Sequence, residues 1–203
     1  MEPNQEHQLL RQMRAGDASA FNALYTAHSS HLYKFCCLRM RSPDLAADVV
    51  QEAFMVLMSP TCAFDALKGS LAGYLFGVAR NLALKQDAAQ GRFVALDTDA
   101  DGDDSAIEIE ESLWAQATAT PDAMLETTQN TEAVTLALQK IAPHYRDVLI
   151  LYELHEFSYI EIAHICGIDI GTVRSRLSRG RAQLVKLLGA HADKKTEELE
   201  REL

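Results

Sequence analysis

Residues 158–184 read "SYIEIAHICGIDIGTVRSRLSRGRAQL", and the reading of this stretch decides the fold. Ser158 and Glu161 stand at the S-x-x-E spacing of a capping box, where hydroxyl and carboxylate each satisfy an orphan N–H of a first helical turn. A helix is therefore predicted to start at Ser158. Cys166-Gly167 supplies a tight turn, because glycine tolerates positive φ without a Cβ clash. A second helix is expected to begin near Asp169 or Gly171, and Ala163 is small, as two closely crossing helices require. The pattern is that of a helix-turn-helix unit. On a wheel of about 100° per residue, Val173, Leu177, Gly180 and Leu184 fall in one narrow sector, the buried side. Ser175, Ser178, Arg179 and Lys186 fall opposite, while Arg174, Arg176 and Arg181 flank the buried side.

A cationic, polar helix packed through its back is what a major groove admits. Arginine can bond both acceptors of a guanine, worth roughly 1–3 kcal/mol of base discrimination, and neighbouring Ser and Thr can hold phosphates. Arg146 leads into this basic region from upstream. The whole chain is nevertheless acidic, with a formal net charge of -10. Local positive charge can read DNA while global acidity keeps the free protein from binding it indiscriminately.

Hydrophobic residues make up 48% of the 203 residues, which predicts globular structure. The apolar runs are too short to cross a bilayer. The opening "MEPNQEHQLLRQM" lacks the basic-then-apolar order of a secretory signal, so a cytoplasmic location is expected. Cys36, Cys37, Cys62 and Cys166 form no CxxC pair, which argues against a zinc site or a disulfide framework. His144, His155 and His164 read as structural. No nucleophile–base pair or phosphate loop is evident, so neither enzyme activity nor a cofactor is expected.

Outward from the opening stretch, helical periodicity runs through nearly the whole chain, predicting an all-α fold. Residues 6–15 form a first helix, stopped by Gly16, and Asp17 caps the next, whose stripe is Phe21, Leu24, Tyr25, Leu32 and Phe35. Ser42-Pro43-Asp44 makes a turn with Asp44 as N-cap of a helix through "LAADVVQEAFMVLM", and "SLAGYLFGVARNLALKQ" is a further helix. "DTDADGDDSAIEIEE", residues 97–111, then carries eight acids and no base and repels itself. Periodicity resumes with Val134, Leu138 and Ile141, is broken at Pro143, and continues with Val148, Leu151, Tyr152 and His155. The expected organisation is two small helical domains, 1–93 and 131–190, joined by an acidic flexible linker, 94–130, and followed by a charged tail, 191–203.

At this point the residues resemble a known family. "LQKIAPHYRDVLILYELHEFSYIEIAHICGIDIGTVRSRLSRGRAQL" resembles the C-terminal domain of extracytoplasmic-function sigma factors, which reads the minus-35 promoter element. "AFNALYTAHSSHLYKFC", "DVVQEAFMVLM" and "GYLFGVARNLAL" resemble, in the right order, that family's domain 2, which binds the RNA polymerase clamp and opens the minus-10 element. The resemblance implies an alternative sigma factor whose partners are core RNA polymerase and promoter DNA. It places Asp48, Gln51, Glu52 and Phe54 on the clamp-binding helix, where residues 48, 51, 52 and 55 share a face. It gives Tyr74, Arg80 and Asn81 to the minus-10 element, where base stacking on an aromatic contributes roughly 1–3 kcal/mol. It gives Thr172, Arg174, Ser175, Arg176, Ser178 and Arg179 to the minus-35 element.

Two departures stand out. Where the family usually has an acidic turn of the type D-A-E-D, this chain has Leu45-Ala46-Ala47-Asp48. After Asn81 the family usually carries several bases, whereas "LALKQDAAQGRF" offers only Lys85 and Arg92. Some members of the family that lack the acidic turn look dependent on a Ser/Thr kinase, and "MSPTCAF" places Ser59 and Thr61 just after the clamp helix. This opens two readings of the segment, a site near Ser59 and Thr61 where phosphorylation restores negative charge or an ordinary polar loop, and the sequence leaves open whether control is by phosphorylation, by an anti-sigma factor or by neither. The alternative is a helix-turn-helix regulator with an N-terminal sensor domain, against which "DVVQEAF" and "YLFGVARN" stand.

Overall fold

A computed structural model describes residues 3–40, 42–66, 69–89 and 132–201, with side chains between residues 4 and 189. Helices are the only regular elements among the described residues. They are α1 (Pro3–Arg14), α2 (Ala18–Met40), α3 (Pro43–Met58), α4 (Leu71–Ala89), α5 (132–140), α6 (Pro143–Leu149), α7 (Tyr159–Cys166) and α8 (Ile170–Arg201). A π-helical turn, Ile150–Leu154, continues α6.

Local chemistry sets most boundaries. Gly16 ends α1 at φ 94°, and the Asp17 carboxylate accepts from the N–H groups of Ser19 and Ala20, capping α2. The Ser19 hydroxyl, donating to the same oxygen at 2.7 Å, and then these two N–H groups hold the Asp17 pKa below its usual value. The cap of α3 departs from expectation. Ser42, not Asp44, is the N-cap, its hydroxyl accepting from Leu45 N–H. Pro43 fits the first helical position, where no donor is needed, and this moves Asp44 inside the first turn. The capping box of α7 forms as the spacing predicts, Ser158 and Glu161 exchanging bonds, and Gly167 closes the helix at φ 67°. The π-helical turn was not foreseen. His155 caps it, Glu156 follows at φ 56°, and Phe157 N–H reaches back to Leu151 O.

Helices α1–α4 bury Leu24, Leu32, Phe35, Val49, Leu57 and Leu75 among themselves. In the second half, α6 and α8 cross at Gly180, where an added Cβ would stand 3.0 Å from the Leu149 side chain. The absence of a Cβ is what lets the two helices approach. The two halves, whose mutual packing the sequence leaves open, pack together: α7 lies along α4 and the buried residues form one continuous cluster. The expected linker, 94–130, lies outside the described residues. The expected tail continues the backbone of α8 without a break as far as Arg201. No helix among the described residues is long and apolar enough to cross a membrane.

Candidate functional site

Helix α8 presents the face that its sequence pattern demands. Val173, Leu177, Gly180 and Leu184 are buried against the rest of the second half. Arg174, Ser175, Ser178 and Arg179 are exposed, while Thr172 and Arg176 are half-buried at the flanks. The Arg174 guanidinium sits 5.9 Å from the Tyr159 ring centre, a cation–π contact that leaves its donors open to a ligand. Arg181 is spoken for: its Nε donates to Glu153 Oε1 at 2.7 Å and its guanidinium lies over Tyr152. Arg146, which the sequence adds to the basic region, does not belong to this face. It is buried, and its guanidinium donates to the carbonyls of Leu138, Gln139, Ile141 and Arg39. These carbonyls sit at or just beyond the C-termini of α5 and α2, which lack intrahelical donors and favour a cation.

On α3, Asp48, Gln51 and Glu52 are exposed on one stripe, and Met55 extends it at 57% exposure. Phe54 does not share that stripe. It is 2% exposed, with its ring 4.8 Å from Tyr25 and 6.2 Å from Phe21. A side chain so enclosed packs the bundle and has no surface to offer a partner. Ser59, the C-cap, continues the outward stripe, and its hydroxyl lies 2.8 Å from that of exposed Thr61.

The residues assigned to the minus-10 element are only partly gathered. Tyr74 is half-buried, packed on Phe64 at 5.3 Å, and accepts from Cys62 Sγ at 3.5 Å. Burial first, and the Cys62 contact second, push its pKa up to about 12. Asn81 is exposed. Both line a cleft of about 510 Å³ between α4, the loop before it and α7, with Ile160, Glu161 and His164 on the far wall. Arg80 is not open to a ligand: its side chain is 11% exposed, donating to Asp147 Oδ2 at 2.9 Å and to Cys166 O at 3.3 Å.

Sequence reasoning passed over the group that holds Arg80. Asp147 is 1% exposed and ion-paired through its other oxygen with Arg39, also 1% exposed, which in turn reaches Asp87 at 2.8 Å. The Arg39 contacts are close but poorly aligned as hydrogen bonds, so its charge is balanced by proximity. Burial alone would favour neutral Arg39; the carboxylates of Asp147 and Asp87 outweigh it and raise its pKa. The available signal was a charge set in an apolar run: Arg39 in "CCLRM" and Asp147 in "RDVLIL".

With this geometry in place, comparisons with known proteins agree from both halves. The profile described as Sigma-70 region 2 matches residues 24–93, and that described as Sigma-70, region 4 matches residues 131–184. The chain is 26% identical over 182 residues to the ECF RNA polymerase sigma factor SigW of Bacillus subtilis, covering 88% of this chain and 94% of that one. It is 32% identical over 178 residues to the ECF RNA polymerase sigma-E factor of Escherichia coli, covering 85% and 88%. Among solved structures, the sigma factor RpoE of Bartonella quintana, in complex with the anti-sigma factor NepR, aligns with TM-score 0.60 at 27% identity, covering 83% and 96%. The region 2 match stands where the alternative reading puts a sensor domain, and the chain belongs to the extracytoplasmic-function sigma factors, which bind core RNA polymerase and direct transcription initiation.

Proposed function

We propose that the two exposed faces divide this work. The stripe Asp48–Gln51–Glu52–Met55 of α3 docks on the polymerase clamp, its two acids and amide meeting basic groups around an apolar Met. Phe54 supports that helix from within. The outward face of α8, with Arg174, Ser175, Ser178 and Arg179 leading and Thr172 and Arg176 at its edges, reads the minus-35 element. Tyr74, Arg80 and Asn81 serve the minus-10 element once Arg80 is released. The protein works as an initiation factor without catalytic chemistry of its own, in the cytoplasm where its polymerase resides.

The carrying observation is α8 itself, whose buried sector leaves a cationic face outward. Run-off transcription with purified core enzyme tests it. Arg174→Ala is expected to cost about 1–3 kcal/mol of promoter affinity if it reads a base; Arg179→Ala, if it holds a phosphate, is expected to reduce the salt slope by about one ion. Unchanged yield and unchanged salt dependence in both variants would remove α8 from promoter recognition.

Control is proposed at two places. Likeness to a sigma factor solved with its anti-sigma factor supports an anti-sigma partner for this chain too. The Ser59–Thr61 hydroxyl pair supports phosphorylation, which would add about −1.5 to −2 charges at the end of a stripe that lacks the family's acidic turn. Thr61→Glu and Ser59→Glu are expected to raise transcription over Thr61→Ala and Ser59→Ala; equal yields from all four exclude the switch.

A further inference from the structure

Four charged groups meet where the two halves touch: Arg39, Arg80 and Asp87 from the first, Asp147 from the second. Two guanidiniums and two carboxylates make the closed cluster neutral. Without Asp147, the first half keeps two cations and one anion. Burying an uncompensated guanidinium is costly, so the closed arrangement depends on this one carboxylate. Phe76 of α4 adds an apolar contact, its ring 5.0 Å from Phe157 and 4.7 Å from His155. Arg146 adds a bond to the Arg39 carbonyl at 2.7 Å.

We infer that Asp147 is an internal counter-ion that latches the helix-turn-helix half over α4 and withholds Arg80 from promoter DNA until the protein opens. The inference rests on reading Arg80 as part of the minus-10 surface. A DNA phosphate offers Arg80 the same chemistry as Asp147, a charged oxygen acceptor, but with the Arg80 side chain 11% exposed and its Nε already on Asp147, a phosphate reaches it only when the halves part. In the closed form α7 also covers the face of α4 that carries Arg80. Opening bares net positive charge on the first half at the place where nucleic acid would approach. Because only the open fraction is competent, the closed population lowers apparent affinity in proportion.

The test uses the full chain in three variants. Asp147→Asn removes the counter-ion, and Phe157→Ala removes the apolar contact without touching any charge. Asp87→Asn is the control, since Asp87 and Arg39 lie in the same half and its loss leaves Arg39 more dependent on Asp147. Small-angle scattering is expected to show Asp147→Asn and Phe157→Ala enlarging the radius of gyration by about a fifth over a compact wild type, with Asp87→Asn unchanged. Both opening variants are also expected to bind purified core polymerase roughly tenfold more tightly than wild type. Unchanged radii in both, or loss of helical circular dichroism in both, would overturn the latch. If the radii grow but a fluorescein-labelled single-stranded oligonucleotide binds Asp147→Asn no better than wild type, the assignment of Arg80 fails while the latch stands.

Discussion

Arg146 terminates two helices at once. Its guanidinium supplies donors to four carbonyls from α5, the turn after it and α2. Arg146→Ala leaves buried acceptors unsatisfied and is expected to cost about 3 kcal/mol of stability by denaturant unfolding. Arg146→Lys should rescue little, because an ammonium cannot span the positions that the planar fork reaches. Gly180 carries the complementary constraint. Gly180→Ala places a methyl 3.0 Å from Leu149, an overpacking expected to cost about 1–3 kcal/mol, offset in part by better helix propensity. In a Leu149→Ala background the same change should become neutral or stabilising, and a double-mutant cycle reads the coupling directly. His155 is the residue whose charge the interface resists. Burial first, then His31 and Lys34 of α2, lower its pKa from 6.5 to about 4, while Phe35 and Phe76 pack its ring. Since the folded value is depressed, the unfolded chain takes the proton first. The stabilisation is complete above about pH 6.5 and is lost as pH falls towards 4. Melting temperature should therefore drop between pH 7.5 and 5, and drop less in His155→Phe.

At the scale of elements, helix ends were legible because capping is local chemistry. The capping box of α7, Gly167 and the Asp17 cap all formed from residues within four positions of one another. Ser158→Ala is expected to cost about 1 kcal/mol, measured as a lower denaturant midpoint. The α3 cap was misassigned because Ser42 and Asp44 are both good caps, and Pro43 between them decides which one lies outside the helix. The buried sector of α8 was legible too, since a 3.6-residue period on a helix packed through one side leaves little choice. Phe54 entered the clamp-binding set through the family resemblance alone; the same period turns it away from the face of Asp48, Gln51, Glu52 and Met55 and into the bundle.

For the whole molecule, the chain by itself determined its α-helices, the caps of α2 and α7, the cationic face of α8 and the acidic stripe of α3. All of these follow from neighbours a few residues apart. Only the tertiary structure decided that Arg146 faces carbonyls rather than DNA, that Arg80 is held by Asp147 across 67 positions, and that the two halves share one core. The physical reason is desolvation. A charged side chain looks alike in sequence whether it meets water, a partner or a buried counter-ion, and what excludes water from it arrives from a distant part of the chain.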